Sequence, residues 1–198
     1  MTLEKNGQTL VIDPGNITDD FVIPNRTTAI VLTHEHPDHI DTGKIQAIIE
    51  QSPDVCIVSH QGIIDSHDWP VTRSVKPGER VTIGDFSLEF FGGKHAVIHT
   101  SIPIIDNLSV MVDDIFYYPG DSYAIPSLPV KVLAAPTSGP WLKIGDVADF
   151  ILEIKPELVI STHDAHSSQK NVELVDRMLP MLLGNSVQYT RVSGSIEL

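Results

Sequence analysis

Thr33-His34-Glu35-His36-Pro37-Asp38-His39 is the densest concentration of chemistry in this chain: three imidazoles and a carboxylate, at positions 34, 36, 38 and 39, within one short stretch. Borderline nitrogen and oxygen donors in that mixture suit zinc, manganese or iron better than calcium or magnesium. The preceding residues, Ala29-Ile30-Val31-Leu32, are all apolar and read as a short buried strand. The donors then sit where a rigid strand passes into an exposed turn. Residues two apart on an extended segment point the same way, so His34 and His36 can grip one ion. Pro37 bends the path, and the adjacent Asp38 and His39 can reach toward a second. The competing reading is a solvated, histidine-rich turn without a ligand role.

Outward from that stretch, the chain alternates strand and helix before it becomes strand-rich. Upstream, Thr9-Leu10-Val11-Ile12 reads as a strand entering the turn Asp13-Pro14-Gly15. Downstream, Ile45, Ile48 and Ile49 share one helical face, Asp41 or Thr42 can cap that helix, and Pro53 stops it. Val55 to Val58 is the next buried strand, and His60 and His67 flank a short segment after it. Lone histidines are more often surface residues, so both are left outside the site. Strand segments then follow at 71–75, 81–83 and 87–91, with Pro77-Gly78 and Gly84-Asp85 as turns.

Gly92-Gly93-Lys94 breaks the strand pattern just before His95, and His99 lies four residues on, where an extended segment would give it the same face. Leu108 to Val112 and Ile115 to Tyr118 form a hairpin turning at Asp113-Asp114; its second strand runs into Pro119-Gly120-Asp121-Ser122. Val130 to Ala135 is a further buried strand, followed by a loop in which Trp141 reads as a hydrophobic plug, with a substrate-pocket wall as the alternative. Asp146 is expected to cap a helix running to Ile154. Leu158-Val159-Ile160 returns as a strand and delivers Thr162-His163-Asp164-Ala165-His166. A helix from about 171 to 183, interrupted by Pro180, and a strand near 187–192 complete the chain.

The stretch at 33–39 matches the His-x-His-x-Asp-His signature of the metallo-β-lactamase-fold hydrolases, and the resemblance extends through Asp13-Pro14-Gly15, Gly92-Gly93-Lys94-His95, Tyr118-Pro119-Gly120-Asp121 and Ser161-Thr162-His163-Asp164. The chain looks most like the short, single-domain members, broadly similar to the ascorbate-6-phosphate lactonase-like branch. The resemblance implies an α/β fold, a four-layer αββα sandwich. It implies His34, His36 and His95 around one metal, Asp38, His39 and His163 around the other, and Asp121 bridging them. With the glycine pair, it favours His95 over His99; His166 is expected outside the ligand set. Asp13 would support the ligand loop from behind, against the plainer reading of a turn aspartate. Family members usually begin with a further strand, and the few residues before this hairpin suggest that this edge is shortened or supplied otherwise.

Composition narrows the function. At 198 residues one domain over 1–198 is expected, and 41% hydrophobic with 20% charged residues is ordinary for a soluble globular protein. The formal net charge of −13 repels phosphate backbones and argues against nucleic acid as a partner. The single cysteine, Cys56, excludes an internal disulfide and reads as a small buried apolar residue. The absence of a leader-like or membrane-length apolar run points to the cytoplasm and no membrane partner.

Two divalent ions with open positions mark a catalytic site, with zinc favoured and manganese or iron as alternatives. The expected chemistry is hydrolysis by a hydroxide bridging the two ions, with Asp38 orienting it as well as binding metal. A small, anionic ester, lactone or phosphodiester is the expected substrate. The alternatives are a nuclease or phosphodiesterase acting on nucleic acid, and a non-hydrolytic metal-binding or iron redox protein on the same fold.

Overall fold

The computed structural model describes residues 1–198. Two sheets pack face to face with helices on their outer faces, the αββα arrangement expected from the sequence. The first sheet has the order β1 (Thr2–Lys5), β2 (Gln8–Ile12), β3 (Thr27–Val31), β4 (Cys56–Ser59), β5 (Thr72–Ser74); β1 and β2 are antiparallel and the other pairs parallel. Helices α1 (Thr42–Gln51) and α2 (Gln61–Asp65) connect its strands. The second sheet contains β6 (Arg80–Ile83), β7 (Phe86–Gly92), β8 (Leu108–Val112), β9 (Phe116–Tyr118), β10 (Val132–Pro136), β11 (Leu158–Thr162) and β12 (Gln188–Thr190) in the order β12-β11-β10-β9-β8-β7-β6. It is antiparallel from β6 to β9 and parallel from β9 to β12. Helices α3 (Ile144–Ile154) and α4 (Gln169–Leu183) flank β11 in sequence.

The two-residue period of a strand builds these layers. Leu10, Ile12, Ala29 and Val31 point inward and meet Leu88, Phe90, Val110, Tyr118 and Ala134 of the opposite sheet. Their neighbours Val11, Ile30 and Ile57 point outward onto Ile45 and Ile48 of α1 and Ile63 of α2. On the other side Tyr117, Leu133, Ala135 and Val159 pack on Val147 and Ile151 of α3 and Leu179 and Leu183 of α4. Truncating one of the fully buried leucines or isoleucines among these to alanine costs about 2–5 kcal/mol. Strands buried on both faces are continuous apolar runs, which is why 29–32 and 132–135 lack alternation.

Four local expectations are corrected. The N-terminal edge is not shortened: β1 pairs with β2 over four residues, and Asn6-Gly7, both at positive φ, make the tight turn between them. Helix α3 begins at Ile144 after Lys143, so Asp146 lies in its first turn rather than capping it, a position favourable to a carboxylate beside the helix dipole. Helix α4 runs unbroken through Pro180, because Val175, Leu179 and Leu183 form one buried stripe whose burial outweighs the cost of about 3 kcal/mol for an internal proline. The short segment between His60 and His67 contains α2, which was not foreseen. Between the two capping candidates for α1, Asp41 is the one used; its side chain accepts from Gly43 N and Lys44 N. Asp113 and Asp114 take the turn as expected, both at positive φ. No helix is long and apolar enough to cross a membrane.

Candidate metal centre

The residues singled out in sequence converge on one edge of the sandwich, where β2, β3, β7, β9 and β11 end. His34, His36, Asp38 and His39 follow β3; His95 follows β7; Asp121 follows β9; His163 follows β11 directly. Potential ligand atoms of His34, His36, His95 and Asp121 all lie within 4.8 Å of one another, as do those of Asp38, His39 and His163. Asp121 joins the two sets: its Oδ1 is 3.3 Å from His39 Nε2 and 3.2 Å from His163 Nε2, and its Oδ2 is 3.5 Å from His95 Nε2. Asp38 Oδ2 is 3.4 Å from His163 Nε2. His99 stays exposed, bonded to Ser101, and His166 is exposed too. His60 is half-buried and outside the cluster, and His67 stacks on Trp69.

Each of four imidazoles is anchored through Nδ1, which leaves Nε2 directed into the cluster. His39 Nδ1 lies 2.7 Å from Asp13 Oδ2, His34 Nδ1 3.0 Å from Thr33 Oγ1, His95 Nδ1 2.5 Å from the Ala96 carbonyl, and His163 Nδ1 2.6 Å from the Ser138 carbonyl. Asp13 orders this arrangement. Its two oxygens also accept from Thr33 N at 2.8 Å and Thr33 Oγ1 at 2.6 Å, so one carboxylate holds both the strand end and His39. It therefore has the supporting role suggested by the resemblance. Asp13 and His163 both sit at positive φ, at 46° and 60°, a conformation that costs a non-glycine residue of order 1–3 kcal/mol and that recurs where backbone is bent for a site.

The charges follow from burial. His34 is driven down to about 2 by desolvation, reinforced by neighbouring His39, and is neutral. Burial also lowers His36, with His95 adding to the effect. Burial opposes charge on His39, but Asp13 and Asp121 outweigh it and raise this imidazole to about 10. For His163 burial is likewise outweighed, chiefly by the hydrogen bond with Asp38. Asp38 is held down mainly by His163; Asp121 is held down by His39 and His95 against the effect of its burial.

The donors fit divalent cations. His34 Nε2 faces His36 Nδ1 at 3.1 Å, and His39 Nε2 faces His163 Nε2 at 3.1 Å, so inward lone pairs oppose one another unless a proton or a cation lies among them. His95 Nε2 and Asp121 Oδ1, both buried, have no hydrogen-bond partner. A buried polar atom without a partner is expensive, and a cation removes that cost.

Sequence reading missed Asn107 and did not connect Trp141 to Asp121, and both fix that residue. Asn107, fully buried, accepts from Asp121 N at 3.0 Å through Oδ1 and donates to the Pro119 carbonyl at 2.9 Å. An asparagine directly preceding the strand segment 108–112 was the available signal. Trp141 is more than a hydrophobic plug: its indole N–H donates to Asp121 Oδ2 at 2.8 Å, and one face borders a pocket of about 590 Å³ that also touches Gly93, Lys94, Ala96 and Tyr123.

A family model described as a β-lactamase superfamily domain matches residues 1–163. Protein Rv0786c of Mycobacterium tuberculosis is 33% identical over 169 residues, covering 82% of this chain and 79% of that one. Among solved structures, the metallo-β-lactamase fold protein YhfI of Bacillus subtilis superposes with a TM-score of 0.71 at 16% identity, over 98% of this chain and 88% of its own. Igni18, a novel metallo hydrolase from the hyperthermophilic archaeon Ignicoccus hospitalis, gives 0.68 at 16% identity, over 97% and 90%. With its αββα layers and its histidine–aspartate cluster at one sheet edge, the chain belongs to the β-lactamase superfamily and has the metallo-β-lactamase fold.

Proposed function

We propose that this protein is a metal-dependent hydrolase cleaving a small ester, lactone or phosphodiester. Two divalent ions, zinc by preference and manganese or iron as alternatives, would be held by His34, His36 and His95 on one side and by Asp38, His39 and His163 on the other, with Asp121 serving both sets. The observation that carries this reading is the set of four Nδ1-anchored imidazoles whose Nε2 atoms turn into one cluster around Asp121, with Oδ1 facing His39 and His163 and Oδ2 facing His95. Ions bound there supply Lewis acidity, lowering the pKa of water toward neutrality and polarising a carbonyl or phosphoryl oxygen.

The chain's own side chains divide the remaining work. Asp121, with its side chain 3% exposed, is sealed from substrate and serves to hold the centre together. Asp38 is 23% exposed and is the carboxylate open to the approach of water, which it orients as well as binding metal. Asp13 and Thr33 stay behind the centre and fix the orientation of His34 and His39. The 590 Å³ pocket beside Trp141 lies within the range of about 300–1,000 Å³ usual for small-molecule sites. The net charge of −13 disfavours long polyanions, while cations in the centre attract a small anionic group.

Metal analysis of the purified protein, coupled to a hydrolysis screen over esters, lactones, thioesters, amides and phosphodiesters, tests the proposal. The expected result is up to two ions per chain and chelator-sensitive activity on a small substrate. Protein free of bound metal after loading, or efficient and salt-sensitive cleavage of tRNA or duplex DNA, would overturn it.

A further inference from the structure

Asp121 presents its two oxygens to different neighbours. Oδ1 faces His39 and His163, whereas Oδ2 faces His95 and receives the hydrogen bond from Trp141 Nε1. The indole is itself fixed: Trp141 is 8% exposed and packs edge-on against His95 at 5.9 Å and Tyr123 at 5.2 Å between ring centres. Gly139 lets it approach, because a Cβ at that position would lie 3.0 Å from Trp141 Nε1. An indole nitrogen donates only; it neither titrates in the working range nor ligates a cation. Its bond to Asp121 is therefore compatible with both the metal-free and the loaded centre. A carboxylate oxygen has lone pairs enough to accept this N–H and still face a cation.

We propose that Trp141 is a positioning residue for the metal centre, and that its N–H pins Asp121 Oδ2 so that the carboxylate is already divided between the two ligand sets before any ion arrives. The inference rests on the metal-centre reading above. Without the pin, the two closer imidazoles at Oδ1, His39 and His163, outweigh the single longer contact of His95 with Oδ2, and the balance on Asp121 in the metal-free protein falls to the His39–His163 side. Both oxygens can then turn to that side, and the His34–His36–His95 set is left without its carboxylate. Loss of such an outer hydrogen bond typically lowers metal affinity about 10–100-fold. A residue that merely filled space beside the pocket would leave affinity near its original value.

The test is a zinc titration of the metal-free full chain against a chromophoric chelator, for the wild-type protein, Trp141→Phe and, as a control, Trp69→Phe. Trp69 stacks on His67 and packs against the helix-covered side of the first sheet, away from the centre. The wild type and Trp69→Phe should take up two ions with equal affinity, and Trp141→Phe should hold the more weakly bound ion about 10–100-fold less tightly. A second measurement needs no folded Trp141 variant. In ¹⁵N-labelled Trp69→Phe, the remaining indole N–H resonance should lie downfield of a free indole in metal-free protein and stay hydrogen-bonded after zinc is added. A free-indole shift, or a Trp141→Phe isotherm matching the wild type's two-ion isotherm, would overturn the positioning role alone. A wild-type chain that takes up no zinc would overturn the metal centre and this inference together.

Discussion

Gly15 is expected to be intolerant of even one added methyl group. A Cβ built at this position lies 1.6 Å from the Asp38 carbonyl oxygen, 2.0 Å from its carbon and 2.7 Å from His39 N, whereas real Cβ contacts essentially never fall below 3.0 Å. All three obstacles are main chain, so no rotamer change relieves them; one backbone segment has to move by more than about 1 Å, a misplacement comparable to those that cost an active site 100-fold. The segments that collide are both part of the centre. One carries Asp13, which anchors His39; the other carries Asp38 and His39 themselves. Lys44, donating to the carbonyls of Gly15 and Thr18 at 2.7 Å each, resists outward movement of the turn. Overpacking of this kind costs about 1–3 kcal/mol, and at about 2–4 °C per kcal/mol for a chain of this size Gly15→Ala should melt several degrees lower. Thermal denaturation followed by circular dichroism reads the first effect, and metal content after dialysis against a limiting chelator reads the second. A variant that retained the wild-type melting temperature and metal content would refute the claim that this contact sets the ligand loop.

Three further outcomes are expected. His95→Ala should lower metal occupancy, measured by elemental analysis, while His99→Ala should leave it near wild type, because only His95 points an unpartnered Nε2 into the cluster. Chelation should remove metal without unfolding the protein; the sheet signal in circular dichroism should persist, with melting lowered by the lost binding energy of about 2.7 kcal/mol for an ion present at 100 times its dissociation constant. Burial pushes the Cys56 thiol above its ordinary value, with Arg73 a smaller opposing influence, so thiolate is scarce at neutral pH. Its labelling by a thiol reagent should run below that of a free cysteine peptide at pH 8 and climb about tenfold per pH unit up to the raised value, in line with thiolate control of reactivity; labelling as fast as the peptide's would refute this.

The sequence carried the parts that depend on near neighbours. Apolar runs such as 29–32 and 132–135 are strands, and the histidine motif falls at a strand end. His95 is preferred to His99 on the glycine pair Gly92-Gly93 together with the family resemblance. The contacts that lock the centre are long-range: Asp13 reaches Thr33 and His39 across 20 and 26 positions, and Trp141 reaches Asp121 across 20. Nothing in a tryptophan's local sequence says which carboxylate its N–H will meet. The first strand is a different failure. Asn6-Gly7 is a strong hairpin signal, but Thr2–Lys5 offers a single large apolar residue, Leu3, and an edge strand gains its order from the ladder with β2 rather than from its own pattern. Helix α4 shows tertiary burial overriding a local rule, since proline chemistry alone predicts a break at 180.

The balance of charge links the site to the rest of the molecule. Asp13, Asp38 and Asp121 gather beside one another in a region of low dielectric, within a chain that is already strongly acidic. Such a group of carboxylates needs compensating positive charge, and the nearby lysine, Lys94, is exposed and paired with Asp106 instead. In the metal-free protein the compensation falls to His39 and His163, whose imidazoles are raised by these same carboxylates. Those imidazoles must lose their protons to bind a cation, so proton and metal compete for one set of atoms. The exchange leaves the fold largely alone, because the apolar clusters between and outside the sheets contain none of the seven candidate ligands. A scaffold whose stability comes from those clusters can hold the site's opposed lone pairs and positive-φ residues in place with or without a bound cation.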